Sequence, residues 1–286
     1  MKLKNVCKAI LSAALAASCM LGLTGCSSAP GGNISNTMVF SEGDKIAEIV
    51  IEDYGTIRAK LFPDLAPNAV KNFELLVEQG YYNGLKIHRV VKDMCIQGGS
   101  LYGDGTGGTA LVDNSGSFPI ETSADLRNYF GALGYANMNG MNTTQFYIVT
   151  AKAPVDIKQY DPAKMREEAA KFTTELEGME ETDPNYSYFN YTGTYYTNLA
   201  DMIEKAGEEV VEKYNTVGGY PLWDGGYTVF GQVFEGWDVI DAITAVEVTT
   251  DKNGEKCMPI NDIVISTVNI IEYVPPQEET GEAQSK

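Results

Sequence analysis

The chain has 286 residues and a single histidine, His88. A Ser/His or Cys/His hydrolase needs an imidazole with a partner that orients it, and nothing in the sequence pairs with this one. Cysteine is scarce as well. Cys7, Cys19, Cys26, Cys95 and Cys257 are far apart, with no CxxC and no Cys/His cluster, which excludes a zinc site of ordinary spacing. Basic charge is short: 21 Lys and Arg stand against 39 Asp and Glu, for a formal net charge of -18. Nucleic acid calls for a basic face, so that class of partner is excluded.

Long apolar runs are also few. The most prominent, Ala9–Leu23, is broken by Ser12, Ser18 and Gly22, and it is too short for a comfortable membrane span of about 20 residues. Lys2, Lys4 and Lys8 come before its end, and Leu23-Thr24-Gly25-Cys26 closes it. A positive start, a short apolar centre and small residues at the end read as a secretory signal over residues 1–25. The ending resembles the lipobox of bacterial lipoproteins, in which cleavage leaves the cysteine as the first residue. That resemblance implies a diacylglyceryl group on Cys26, and two acyl chains give stable anchoring where one is marginal. An ordinary cleaved signal with a chance cysteine is the alternative. The mature chain is therefore expected in the cell envelope, lipid-anchored to a membrane on its extracytoplasmic side. A Gram-positive outer face and a Gram-negative periplasmic leaflet both fit. Residues 26–44, rich in Ser, Gly and Asn, read as a flexible tether. Residues 275–286 read as a disordered acidic tail. Of the cysteines, Cys95 and Cys257 stay in the body. Cys95 sits in an apolar stretch and is expected in the core, and a Cys95–Cys257 disulfide stays open.

Residues 45–274 carry the folded part, with a length that suits one domain with an insertion or two small domains. Ile46–Ile51 and Thr56–Phe62 flank Asp53-Tyr54-Gly55 and read as a hairpin. Pro67 opens a helix in which Val70, Phe73, Leu76 and Val77 recur at helical spacing, and Gly80 ends it. Strands are predicted at Lys86–Val91, Met94–Gln97, Ala132–Asn137, Gln145–Thr150, Tyr227–Val233 and Ile260–Tyr273, with a short helix at Trp237–Ile243. Many short strands with two capping helices predict a mainly β fold, a closed antiparallel barrel.

Between about 153 and 220 the texture changes. Asp161-Pro162 starts a helix carrying Met165, Ala169, Phe172, Leu176 and Met179. A second helix carries Leu199, Met202, Ile203, Ala206, Val210 and Tyr214, weakened at Gly207. Tyr186–Tyr191 is read as the segment between them. This is a two-helix insertion. Its aromatics are expected as the core of the helix pair, or alternatively as a lip over a substrate groove.

Ile87-His88-Arg89, seven further residues, then Gln97-Gly98-Gly99 resemble the cyclophilin signature. Gly105-Thr106-Gly107-Gly108, Ala136-Asn137, Gln145-Phe146-Tyr147-Ile148 and Asp224-Gly225-Gly226-Tyr227-Thr228-Val229-Phe230-Gly231 follow in that family's order. The resemblance covers about 46–151 and 221–273. Gly103–Gly108 also fits G-x-G-x-x-G, but no helix follows it, so a dinucleotide site is not expected. Asp251-Lys252-Asn253-Gly254 reads as a turn lacking the later ligands of a calcium loop.

The resemblance implies a peptidyl-prolyl cis-trans isomerase that needs no cofactor and no metal. It makes Arg89 and Gln97 the catalytic residues. Ile87, Met94, Gly105, Ala136, Asn137, Met138, Gln145, Tyr147, Leu222, Trp223 and Tyr227 fall at substrate-binding positions. His88 is expected as a packed, hydrogen-bonded residue. The family usually has Phe at Met94 and Tyr147, Ala at Met138 and His at Tyr227, and Leu222 holds the place of its frequent Trp. The implied partners are proline-containing unfolded or exported proteins, met by a monomer. The alternative is a weakly active or inactive cyclophilin-like binding or chaperone module at the cell envelope.

Overall fold

The computed structural model describes residues 38–113 and 115–275. The signal segment, Cys26, most of the tether and nearly all of the tail lie outside the described residues. Among the described residues no helix is long and apolar enough to cross a membrane.

The strands are β1 (Lys45–Ile51), β2 (Gly55–Leu61), β3 (Ile87–Val91), β4 (Cys95–Gly98), β5 (Phe118–Pro119), β6 (Ala132–Met138), β7 (Met141–Val149), β8 (Thr228–Glu235), β9 (Val248–Thr250), β10 (Lys256–Pro259) and β11 (Ile265–Glu272). The main sheet runs β11-β1-β2-β8-β6-β7-β4-β3, with β5 paired to β7, while β9 and β10 form a separate hairpin. Neighbouring strands are antiparallel. The sheet curls until its ends meet, but the ladder stays open. A bridge between Lys86 and Val264 spans the gap, with Ile87 N donating to the Ile263 carbonyl at 2.9 Å, Gly84 N to the Ile265 carbonyl at 2.8 Å and Ile265 N to the Leu85 carbonyl at 2.8 Å. The sequence predicted a fully closed barrel; the continuous ladder stops short of that. It also predicted a last strand over Ile260–Tyr273; the chain bends at Ile260–Asn261 and β11 starts only at Ile265, while the turn read at Asp251–Gly254 joins β9 to β10.

Helix α1 (Pro67–Glu78) and helix α5 (Trp237–Thr244) cap the curl. Helix α1 begins at Pro67 and buries Ala69, Val70, Phe73 and Leu76. Its free N-terminal amides are satisfied from a distance: Glu121 accepts from Asn68 N at 3.1 Å and from Ala69 N at 2.8 Å. Phe73 packs against Tyr82, Phe146 and Phe230, and burial of each such ring contributes about 1.5–3 kcal/mol.

The insertion departs from the expectation. It holds α2 (Pro162–Leu176), α3 (Tyr186–Glu204) and α4 (Glu208–Val217), so it has three helices where the sequence predicted two. Asp161 caps α2, accepting from Ala163 N at 2.9 Å. The predicted second helix breaks at Lys205–Gly207, because glycine costs about 1 kcal/mol in a helix interior. Tyr186–Tyr191, read as a connection, is the first part of α3. Helices α2 and α3 pack through Phe172 and Tyr196, whose rings stack with centroids 6.0 Å apart.

Candidate active site

Strand register assembles the site. Arg89 on β3 faces Gln97 on β4, Gln97 faces Tyr147 on β7, and Tyr147 faces Gly134 on β6. Residues directly opposed in adjacent strands share one face. The next rung, Val90–Ile96–Ile148–Leu133, is paired in the same way and points into the main core. Period-2 alternation thus separates an inner hydrophobic face from an outer face that carries Arg89, Gln97 and Tyr147. Cys95, two residues from Gln97, lies on that outer face as well.

A second apolar cluster covers the outer face. Met94, Cys95, Ala132, Tyr147, Val149 and Trp223 belong to it, with Ala136, Tyr220 and Tyr227 packed against them. The rings of Tyr147 and Trp223 meet edge to face at 4.9 Å, and Trp223 and Tyr227 lie 5.3 Å apart. Met94, Tyr147 and Trp223 are 6 %, 2 % and 8 % exposed, so Tyr227, Tyr220 and the residues around them leave little of this apolar floor open. Gly134 makes room for Tyr147: a Cβ there would lie 2.5 Å from Tyr147 Cζ.

A line of hydrogen bonds runs along the edge of the cluster. Arg89 Nη1 donates to Cys95 Sγ at 3.1 Å and reaches Gln97 Oε1 at 3.4 Å. Gln97 Nε2 donates to Gln145 Oε1 at 3.1 Å, and Gln145 Nε2 donates to the Gly105 carbonyl at 3.1 Å. On its other edge the guanidinium meets Glu255, with Nε donating to Oε2 at 3.0 Å and Nη2 to Oε1 at 2.7 Å. Burial pushes the Cys95 thiol up to about 11, against the pull of Arg89. At neutral pH it is a protonated, inert thiol and a weak acceptor. Cys95 and Cys257 are both buried free thiols.

His88 is 9 % exposed. Burial first, and the Arg89 cation second, push its pKa down to about 4. It is neutral at pH 7 and has no base role. The hydrogen bonding expected of it is missing: both ring nitrogens lack a partner of good geometry, with only the Lys86 backbone and Asp104 acting to hold the ring's basicity up.

The predicted site residues sort into groups. Arg89, Gln97, Gln145 and Gly105 form the polar line. Met94, Tyr147, Trp223 and Tyr227 form the apolar floor, with Ala136 at its margin. Asn137 is fixed at the far side, its Nδ2 donating to the Gly226 carbonyl at 2.9 Å and its Oδ1 accepting from Gly140 N at 3.0 Å. Leu222 is half-buried, and its carbonyl accepts from Tyr195 of the insertion at 2.5 Å. Met138 is 79 % exposed at a turn. Ile87 does not join them; its side chain belongs to the main core.

Sequence reasoning missed several residues that shape the site. Glu255 comes one residue after the turn read at Asp251–Gly254. Asn128 accepts the Tyr147 hydroxyl at 2.6 Å. Tyr191, by contrast, is one of the insertion aromatics that the sequence offered as a lip, and it donates to the same Gly226 carbonyl as Asn137, at 2.8 Å. Neither Glu255 nor Asn128 sits in a motif or at a telling period, so only the folded chain identifies them.

The model of the family described as cyclophilin type peptidyl-prolyl cis-trans isomerase matches residues 46–270. A candidate peptidyl-prolyl cis-trans isomerase of Staphylococcus saprophyticus is 30% identical over 80% of this chain and 94% of its own. One of Staphylococcus aureus is 29% identical over 80% of this chain and 93% of its own. In fold, the chain is similar to the crystal structure of a Cryptosporidium parvum cyclophilin type peptidyl-prolyl cis-trans isomerase, with a TM-score of 0.50 and 20% identity over 82% of this chain and 99% of that one. The chain belongs to the cyclophilin-type peptidyl-prolyl cis-trans isomerases.

Proposed function

We propose that Arg89 performs the isomerisation by stabilising the twisted prolyl amide, on exported proteins that this chain meets while lipid-anchored through Cys26 outside the cytoplasmic membrane. The observation that carries the reading is the guanidinium of Arg89, 3.1 Å from Cys95 in the apolar floor and beside Gln97. Rotation about an Xaa–Pro bond faces a barrier of about 18–20 kcal/mol, since the amide must give up its resonance. No bond to another atom forms or breaks. The protein needs neither a nucleophile nor a proton shuttle. It must bind the twisted amide more tightly than the planar one.

As the bond twists, the proline nitrogen regains a lone pair and becomes an acceptor. A guanidinium is a planar, permanently charged donor suited to meet it. The apolar floor of Met94, Tyr147 and Trp223 receives the proline ring. Gln97, tied to Gln145 and Gly105, holds the backbone beside the bond, and Asn137 fixes the neighbouring segment. The chain acts as a monomer in this reading. A proline-peptide isomerisation assay on wild type and Arg89→Ala tests it: the variant loses most of the activity, and equal rates in the two proteins refute it.

The low exposure of Met94, Tyr147 and Trp223 favours a second reading, a binding or chaperone module with weak turnover. It predicts suppression of aggregation of an unfolded client by a wild-type protein whose isomerisation rate matches that of Arg89→Ala.

A further inference from the structure

We propose that Glu255 is a positioning residue for Arg89, and that the β9–β10 hairpin is the scaffold that holds it in place. The inference rests on the reading of Arg89 given above. The two side chains meet through parallel hydrogen bonds of 3.0 and 2.7 Å, the bidentate geometry in which a carboxylate fixes the plane of a guanidinium. Both are largely withdrawn from solvent, at 18% and 34% side-chain exposure. Glu255 holds the Nε edge. The other edge, Nη1, is then aimed at Cys95 and Gln97, toward the apolar floor. A donor that serves a transition state must be aimed before the reaction begins.

The hairpin is tied down on several sides. Asp251 Oδ1 accepts from Asn253 N and from Glu255 N, both at 2.8 Å. Lys252 pairs with Asp104 of the Gly-rich loop at 2.8 Å, and Cys257 is 2 % exposed. Strand β10 packs along β3, the strand of Arg89. The ligand atoms of Asp251, Glu255 and Cys257 lie within 4.8 Å of one another, but the Glu255 oxygens face a cation already in place, the guanidinium.

The test measures kcat and KM for a proline peptide with wild type, Glu255→Gln, Arg89→Ala and the double variant. Misaiming a catalytic group by about 1 Å can cost about 10²-fold. Since Gln keeps one acceptor, kcat is expected to fall about tenfold with KM nearly unchanged. In the Arg89→Ala background, Glu255→Gln is expected to cause no further loss. An unchanged or raised kcat in Glu255→Gln beside a crippled Arg89→Ala overturns this inference and leaves the role of Arg89 standing. Equal losses from Glu255→Gln in both backgrounds mark a merely structural role and overturn it too. Wild-type rates in Arg89→Ala overturn the reading of Arg89 and this inference with it. The wild-type protein supplies a check that needs no variant to fold. The Arg89 Nε–H proton is expected to exchange slowly with water, and exchange as fast as that of an exposed arginine contradicts the clamp.

Discussion

The hydroxyl of Tyr147 donates to Oδ1 of Asn128 at 2.6 Å, with both groups buried. The hydroxyl that distinguishes Tyr147 from the phenylalanine usual in the family is therefore not directed at substrate. Asn128 in turn donates from its backbone N and its Nδ2 to Asp224 Oδ1, at 2.9 and 3.2 Å. Asp224 Oδ2 accepts from Arg127 at 3.1 Å and from Tyr214 at 2.8 Å. Since Tyr214 belongs to α4, and Arg127 also donates to the Met202 carbonyl of α3 at 3.0 Å, one buried network links the insertion to the floor of the site.

Tyr147→Phe tests the outer end of that network. It keeps the ring and strands a buried acceptor on Asn128, at a cost of about 1–3 kcal/mol. Isomerase activity is expected to stay within a few-fold of wild type. Urea unfolding checks the stability, and an unchanged midpoint contradicts the bond.

Asp224→Asn tests the centre. Arg127 and Asp224 are 3% and 1% exposed. Burial raises the Asp224 pKa, against the pull of Arg127 and of the hydrogen bonds from Asn128 and Tyr214. Leaving Arg127 buried without its charge partner costs about 3–5 kcal/mol. A loss under about 1 kcal/mol by denaturant titration is inconsistent with a fully buried pair.

Much of the fold was legible in the sequence because it follows from local chemistry. Alternation in Ile46–Ile51 and Thr56–Phe62 marked a hairpin and Pro67 marked a helix start, while Arg89 and Gln97 were picked out by the resemblance of Ile87–Gly99 to the cyclophilin signature. The rest depends on contacts between distant segments. Gly207 was legible as a weak point, but whether a helix bends or breaks there depends on what each half packs against. Pairing of β9 with β10 hangs on Asp251 accepting from two backbone amides, a detail of turn geometry that no period encodes. Glu255 reaches Arg89 across 166 residues of sequence, and nothing local marks it.

The insertion is built onto the substrate-side loop. Tyr195 packs its ring on Gly226, where a Cβ would come within 2.6 Å of Tyr195 Cε2. Gly226→Ala is expected to push α3 off the loop, at about 1–3 kcal/mol, the usual cost of overpacking. Hydrogen exchange over residues 186–204 should rise in the variant. Unaltered protection there would show that α3 does not rest on Gly226.

His88, the one histidine, is its own reporter. Its folded pKa of about 4 lies below the ordinary histidine value of 6.5. The unfolded chain therefore takes up this proton first as the pH falls. The stability tied to neutral His88 is present in full above pH 6.5 and is lost as the pH drops toward 4, by up to about 3 kcal/mol. Proton NMR of the imidazole is expected to show a midpoint near pH 4 in the folded protein. A midpoint near 6.5 would mean that the ring is neither buried nor beside a cation.

The most direct test of the central claim separates binding from turnover at Arg89. Exchange NMR on an Xaa–Pro peptide gives the isomerisation rate on the protein, and titration of the same samples gives the affinity. If Arg89 acts on the twisted amide, Arg89→Ala lowers the exchange rate by about 10²–10³-fold, the usual cost of one transition-state donor, while the affinity for the planar peptide changes little. An exchange rate in Arg89→Ala equal to that of wild type, or a loss explained wholly by weaker binding, would contradict the account.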